Sequence, residues 1–252
     1  MGFLFRLYAL SIAINLLLIQ INPASSSEIN LISNNLYPTS YVEDGKIKGL
    51  AIEISKAVFK RAGLEYPSPQ IYPYKRALYL TENSSNTVLV SLARTPTRAA
   101  NFVWIGRLVV AVRFIVSRKD SLAYSIAEAR ELESIGVLKG SSLENQLKGM
   151  GFKNLVPLET EQTSFRMLSK QRLDAWYTSN VLLSGVLLSQ GLESRSAITI
   201  GPPLSETTDV YMAASKNFPE GDFLKLKSAF QQLENEGALT SIRRKYGLES
   251  YQ

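Results

Sequence analysis

Few side chains in this 252-residue chain could do covalent chemistry. There is no cysteine and no histidine, which removes thiolate nucleophiles, histidine-based triads, zinc fingers and most zinc or copper sites. No two carboxylates stand at a spacing suited to paired acid–base work, and no glycine-rich phosphate loop is present. No cofactor, no metal and no enzymatic activity are expected. What remains is the chemistry of binding. Gly140-Ser141-Ser142 precedes a helical pattern, where free backbone N–H groups attract anions and glycine lets a ligand approach closely. Plain capping of that helix by Ser141 or Ser142 is the alternative. Arg94 and Arg98 flank Thr95-Pro96-Thr97, and a guanidinium offers parallel donors matched to two carboxylate oxygens. Either arginine could instead be a solvated residue at a strand end or a helix start.

The elements that must position these groups alternate. Ile29–Ser33 reads as a strand, and Glu43-Asp44-Gly45-Lys46 as a hairpin turn. Leu50, Ile54, Ala57 and Val58 recur at helical spacing, with Gly63 as a C-cap. A short strand at Gln70–Tyr72, a helix at Tyr74–Leu80 and a buried strand at Thr87–Leu92 follow. A long β-like run at Val109–Val116 breaks the rhythm, which then restarts as strands at Ser134–Leu138, Leu155–Pro157 and Leu173–Tyr177. Helices at Ser142–Gly149 and Ser164–Lys170 lie between them. Val210–Ala214 is a second β-like run, after which Phe223, Leu226, Phe230 and Leu233 mark a helix continued past Gly237 by Leu239, Ile242 and Tyr246. Such alternation implies α/β architecture with largely parallel sheets. The two restarts imply two lobes, the second inserted into the first, with the ligand at the strand carboxyl ends facing a cleft.

Composition and charge agree. Hydrophobic residues make up 45% and charged residues 20%, a globular balance. The formal net charge of +6 is spread without a basic tract, so no nucleic-acid partner is expected. Arg6, the apolar run Leu7–Ile19 and the small residues Ala24-Ser25-Ser26-Ser27 have the order of a secretory signal peptide over residues 1–27. With no cysteine after the apolar run, a lipoprotein anchor there is excluded, and periplasmic export is expected.

Several segments, in order, resemble family 3 of the extracellular solute-binding proteins, which have the type II periplasmic binding fold. They are Asp44-Gly45-Lys46-Ile47-Lys48-Gly49, Pro73-Tyr74-Lys75-Arg76-Ala77, Arg94-Thr95-Pro96-Thr97-Arg98 and Trp104-Ile105-Gly106. Lys139-Gly140-Ser141-Ser142, Leu173-Asp174-Ala175, Glu236-Gly237-Ala238-Leu239 and Lys245-Tyr246-Gly247 complete the series, from about residue 29 to 247. The resemblance implies two Rossmann-like α/β lobes joined by two crossover strands, lobe 1 from 28–115 plus 210–252 and lobe 2 from 116–209. It implies that Arg98 forks onto a ligand carboxylate, and that Tyr37 and Tyr74 are aromatics of the cleft wall. Ser91 and the backbone around Ala93 fall at hydrogen-bonding loop positions, where Ala93 replaces the usual hydroxyl residue. Ser141 and Ser142 form the second-lobe loop. Ser179 stands where amino-acid binders place an aspartate for the α-ammonium. Trp104 and Trp176 read as packing. Asp209 and Glu206 are acids that could enter the cleft from neighbouring loops.

The expected function is capture of a small polar or anionic solute, amino-acid-like or a carboxylate, between the lobes. The expected partners are that small-molecule ligand and an inner-membrane ABC permease, with the protein monomeric. A secreted dehydratase-like enzyme and an orphan sensory receptor module are the alternatives, because fold does not decide function.

Overall fold

The computed structural model describes residues 28–190, 195–204 and 206–248, and the expected export signal at 1–27 lies outside them. The first half runs β1 (Asn30–Asn34), β2 (Tyr41–Glu43), β3 (Lys46–Lys48), α1 (Leu50–Ala62), β4 (Gln70–Tyr72), α2 (Tyr74–Glu82), β5 (Thr87–Ala93) and β6 (Phe102–Ala111). The second sheet is built from β7 (Arg113–Arg118), β8 (Ile135–Leu138), α3 (Ser142–Gly149), β9 (Leu155–Leu158), α4 (Glu161–Ser169), β10 (Ala175–Ser179), α5 (Asn180–Ser189) and β11 (Ile198–Ile200). The chain returns through β12 (Thr208–Ser215) and ends in α6 (Glu220–Asn235) and α7 (Ala238–Lys245).

One sheet has the order β4-β1-β5-β12-β6 and the other β11-β7-β10-β8-β9. The pairs β1–β4, β1–β5, β10–β8 and β8–β9 are parallel. The strands that carry the chain between sheets, β7 and β12, pair antiparallel with their neighbours. The sheets are therefore mixed, not largely parallel as the alternation suggests. A chain that leaves one sheet and comes back must run against the strands built by βαβ units. The long run Val109–Val116 is two strands: β6 ends at Ala111, Val112 intervenes, and β7 opens at Arg113. The sheet changes there, three residues before the boundary expected after 115.

Local sequence explains the elements. In α1, Leu50, Ile54, Val58 and Phe59 are buried on one face, and Gly63 closes the helix in the left-handed conformation. Gly49, at φ 126°, precedes it, and a Cβ there would lie 2.5 Å from the Thr39 carbonyl oxygen, so only glycine fits. β5 is buried almost throughout, as expected of a central strand. In the second sheet the alternation is visible by packing: Phe114, Val116 and Trp176 enter one core cluster, Ile115, Ala175 and Tyr177 the other.

The helix α5 escapes sequence reading. Its residues Asn180-Val181-Leu182-Leu183-Ser184-Gly185-Val186-Leu187-Leu188-Ser189 have no polar face, and six of the ten are buried. It follows β10 in the second sheet yet packs back on the first: Val181 belongs to the first lobe's core. Gly185 meets Tyr37 and Pro38, where an added Cβ would stand 2.8 Å from the Tyr37 ring. The Ser184 hydroxyl donates to the Tyr246 carbonyl. Asn180 clamps the crossover, its Oδ1 accepting from the Val112 N–H at 2.9 Å and its Nδ2 donating to the Val110 carbonyl at 2.9 Å.

One buried carboxyl sets a pH dependence. Glu161 opens α4, is 6% exposed, and accepts from the Trp176 indole N–H at 2.6 Å. Burial pushes it up from 4.5 to about 7, with the Trp176 hydrogen bond pulling part-way back. The folded form thus holds a proton that the unfolded chain releases at lower pH. This contribution is complete below 4.5 and is lost as pH rises through about 7. A shift of this size corresponds to roughly 3 kcal/mol. Urea melts at pH about 5 and about 8 should show the wild type losing stability relative to Glu161→Gln by up to that amount. Parallel pH curves for the two proteins would remove Glu161 as the cause.

Candidate ligand-binding site

A cavity of about 300 Å³ lies between the two sheets and is lined from both. Asn34 comes from the end of β1, Ser91 and Ala93 from the end of β5, and Leu138 and Ser179 from the ends of β8 and β10. These are the carboxyl ends of parallel strands, where open α/β sheets leave a crevice. Tyr74, at the start of α2, and Ser141, Ser142 and Leu143, at the start of α3, close the walls. Arg113 and Thr208, first residues of the two crossover strands, line it as well.

Of the eight residues singled out from sequence, the structure gathers six around this cavity: Tyr74, Ser91, Ala93, Ser141, Ser142 and Ser179. Arg98 is not part of the lining. It sits directly behind it, half-buried, donating from Nη1 to the Ala93 carbonyl at 3.2 Å and lying 5.5 Å from the centre of the Tyr74 ring. Tyr37 is displaced further. It borders an adjoining cavity with Gly185 and Glu161, and its ring packs against Tyr41, centres 4.4 Å apart and planes tilted by 53°, because the chain after β1 turns toward α5. Arg94 is held 5.3 Å from the Trp104 ring and 5.5 Å from Tyr211, outside the cavity lining. Trp176 is fully buried.

The loop before α3 is partly spent on its own cap. The Ser141 hydroxyl accepts from the Glu144 N–H at 3.2 Å and donates to the Leu138 carbonyl at 2.6 Å, and the Gly140 N–H donates to the Glu144 carboxylate. Lys148 and that Gly140 amide hold the Glu144 carboxyl below its ordinary value. The Ser142 and Leu143 N–H groups have no partner among the described residues and are the amides left for an anion. Ser179 caps α5, its hydroxyl accepting from the Leu182 N–H at 3.3 Å. Burial raises the Tyr74 phenol above its ordinary value and Arg98 offsets part of that.

Among the lining residues that escape the sequence reading are Arg113, Thr208 and Asn34. Arg113 donates from Nη2 to Thr208 Oγ1 at 2.7 Å. It is hidden inside a run that reads as one strand. Asn34 is 4% exposed, and its buried Oδ1 has no hydrogen-bond partner among the described residues. Its signal is its place at the end of the first strand, between apolar residues and a turn. The lining holds no Asp, Glu or Lys. Asp209 pairs instead with Arg107 at 3.4 Å, and Glu206 borders a separate cavity with Ser125 and Met150.

The model of the bacterial extracellular solute-binding proteins, family 3, matches residues 29–249. The chain belongs to that family. Two curated relatives of this family 3 chain come from Bacillus subtilis (strain 168). One is named a probable amino-acid-binding protein, YxeM, 21% identical over 235 residues, covering 89% of this chain and 87% of the relative. The other is the arginine-binding extracellular protein ArtP, 24% identical over 214 residues, covering 83% and 81%. In fold, this family 3 protein is similar to a histidine kinase sensor domain that itself resembles periplasmic binding proteins. The TM-score is 0.68 at 14% identity, over 88% of this chain and 96% of that one. The architecture is the two-lobed type II binding fold and the role is solute binding.

Proposed function

We propose that this solute-binding protein captures a small anionic or polar solute between its lobes and presents the closed form to an inner-membrane ABC permease, acting as a periplasmic monomer that performs no reaction. The observation that carries this reading is the polar part of a cavity whose lining is otherwise largely apolar, with Leu36, Leu138, Leu143, Val181, Leu182 and Val210 in it: hydroxyls, two open amides and a guanidinium, with no carboxylate among the described lining residues. Binding energy drives lobe closure, and the partner reads the closed state.

The two curated relatives bear names of amino-acid binders. A zwitterion needs an acceptor for its ammonium as well as a carboxylate clamp. Here Ser179 is neutral and engaged in a cap, Ala93 has no hydroxyl, and Asp209 is paired outside the cavity. A neutral acceptor such as Asn34 gives up the charge-assisted part of the bond, and a buried ammonium without a counter-charge is costly.

A thermal-shift screen of carboxylates, other small polar metabolites and L-amino acids tests the reading. A solute at a hundred times its Kd stabilises by about 2.7 kcal/mol, or roughly 5–10 °C for a chain of this size. Carboxylates should give the larger shifts. A large shift with a standard amino acid that vanishes with its des-amino analogue would overturn the preference.

A further inference from the structure

The crossover strands place an unexpected cation in the cleft. Arg113 opens β7, and its ladder partner on β10 is Ser179. Residues directly opposite in an antiparallel pair share one face, with Cβ atoms about 5 Å apart. Both line the cavity, which fits that shared face. A guanidinium carries five N–H donors. Among the described residues this one makes a single bond, to the neutral hydroxyl of Thr208, and no described ion pair includes it. The residue that could have neutralised it across the ladder is a serine.

A second guanidinium lies just behind the cavity wall. Arg98 lies behind Tyr74 and Ala93, on the side of α2 and the end of β5, and it too is absent from every described ion pair. Of these two guanidinium groups without a described carboxylate partner, Arg113 lines the space of about 300 Å³, and Arg98 stands behind the Tyr74 and Ala93 that line it. That volume suits a compact ligand of a few heavy atoms between its acidic ends.

We infer that Arg113 receives a second acidic group of the ligand, so that the cleft is a receptor for small dicarboxylates held between Arg98 and Arg113. This rests on the reading of the cavity as the solute site. The Ser142 and Leu143 amides add donors to the same anion, and bidentate capture by the guanidinium fork supplies direction.

The test uses malonate, succinate and glutarate, each against its half-amide, titrated calorimetrically into the wild type, Arg113→Gln and Ser179→Asp. The half-amide keeps the size but loses one charge and one of the two acceptor oxygens that a guanidinium fork engages. The wild type should bind at least one diacid more tightly than its half-amide by about tenfold or more. That ratio should fall toward unity in Arg113→Gln. It should fall likewise in Ser179→Asp, where an aspartate still caps α5 but supplies Arg113 with an internal counter-ion. The wild-type ratio alone decides if a variant does not fold. A half-amide that binds as tightly as its diacid overturns the inference, as does a preference that survives in Arg113→Gln. If no diacid binds while a monocarboxylate or amino acid does, the dicarboxylate assignment fails and the cleft reading stands. If binding is seen but Ser91→Trp, which fills the cavity, leaves it unchanged, the cleft reading itself has failed and takes this inference with it.

Discussion

Arg98→Ala should weaken binding of the solute by roughly 30- to several-thousand-fold, the largest loss expected of any single substitution at the cleft. Removing one partner of a desolvated, hydrogen-bonded charge pair costs about 2–5 kcal/mol, and that range converts to the stated loss. The position of Arg98 suits this role. It is half-buried, tethered at 3.2 Å to the Ala93 carbonyl, and lies against the Tyr74 ring that walls the cavity. Because the lining does not include Arg98 in this structure, its fork must reach the ligand past Tyr74 and Ala93. Arg98→Lys should fail nearly as badly, since an ammonium cannot reproduce the bidentate contact or stack in the same way. Calorimetric titration with the solute found by the thermal-shift screen measures both. Affinity unchanged in Arg98→Ala would remove the residue from the site and leave Arg113 as the cleft's main cation.

The largest expected effect on stability is at a residue outside the cavity lining. Arg243 on α7 is 2% exposed. Its Nε donates to the Leu108 carbonyl at 2.6 Å, its Nη2 to the Arg107 carbonyl at 3.0 Å, and its Nη1 to Glu234 at 2.9 Å. The need arises from a bulge. The β6–β12 register steps from Val109 opposite Val210 to Arg107 opposite Tyr211, leaving Leu108 unpaired on an edge strand. Arg243→Ala strips both carbonyls of their donor and opens a cavity, and should cost about 3–5 kcal/mol in urea denaturation. Glu234→Gln should cost less, since glutamine keeps an acceptor for the Arg243 Nη1 and leaves both backbone carbonyls with their donors. Equal losses in the two variants would assign the stability to the ion pair instead of the carbonyls.

What can be read in the sequence depends on whether a residue's environment leaves a local mark. Helix α1 announces itself through Leu50, Ile54 and Val58 at helical spacing and a terminal glycine. The hairpin β2–β3 announces itself through Asp44-Gly45. The serines of the α3 cap are legible because capping is a local act. Arg113 is not, because its meaning comes from a change of sheet one residue earlier, which leaves no gap in a run of apolar residues. Nor is α5, whose ten residues present no polar face, six of them buried, with Val181 in one lobe's core and Leu183 and Val186 in the other's. Tyr37 borders the adjoining cavity for a related reason: the strand end is legible, but the contact beside its ring is Gly185, far off in sequence. Long-range packing decides such positions, and no period in the sequence records it.

The way α5 is held has a consequence for modularity. It is encoded inside the inserted segment, yet Val181 completes the core of the surrounding lobe and Asn180 fastens the strand junction at Val112. Cutting the chain at the crossovers would take a hydrophobic plug out of one half and leave an apolar helix uncovered on the other. The two lobes therefore form one cooperative unit, although each has its own sheet. A lobe exchanged between relatives would have to bring the matching surface for this helix with it. The specificity of such a chimera would change only if that graft first restored the fold.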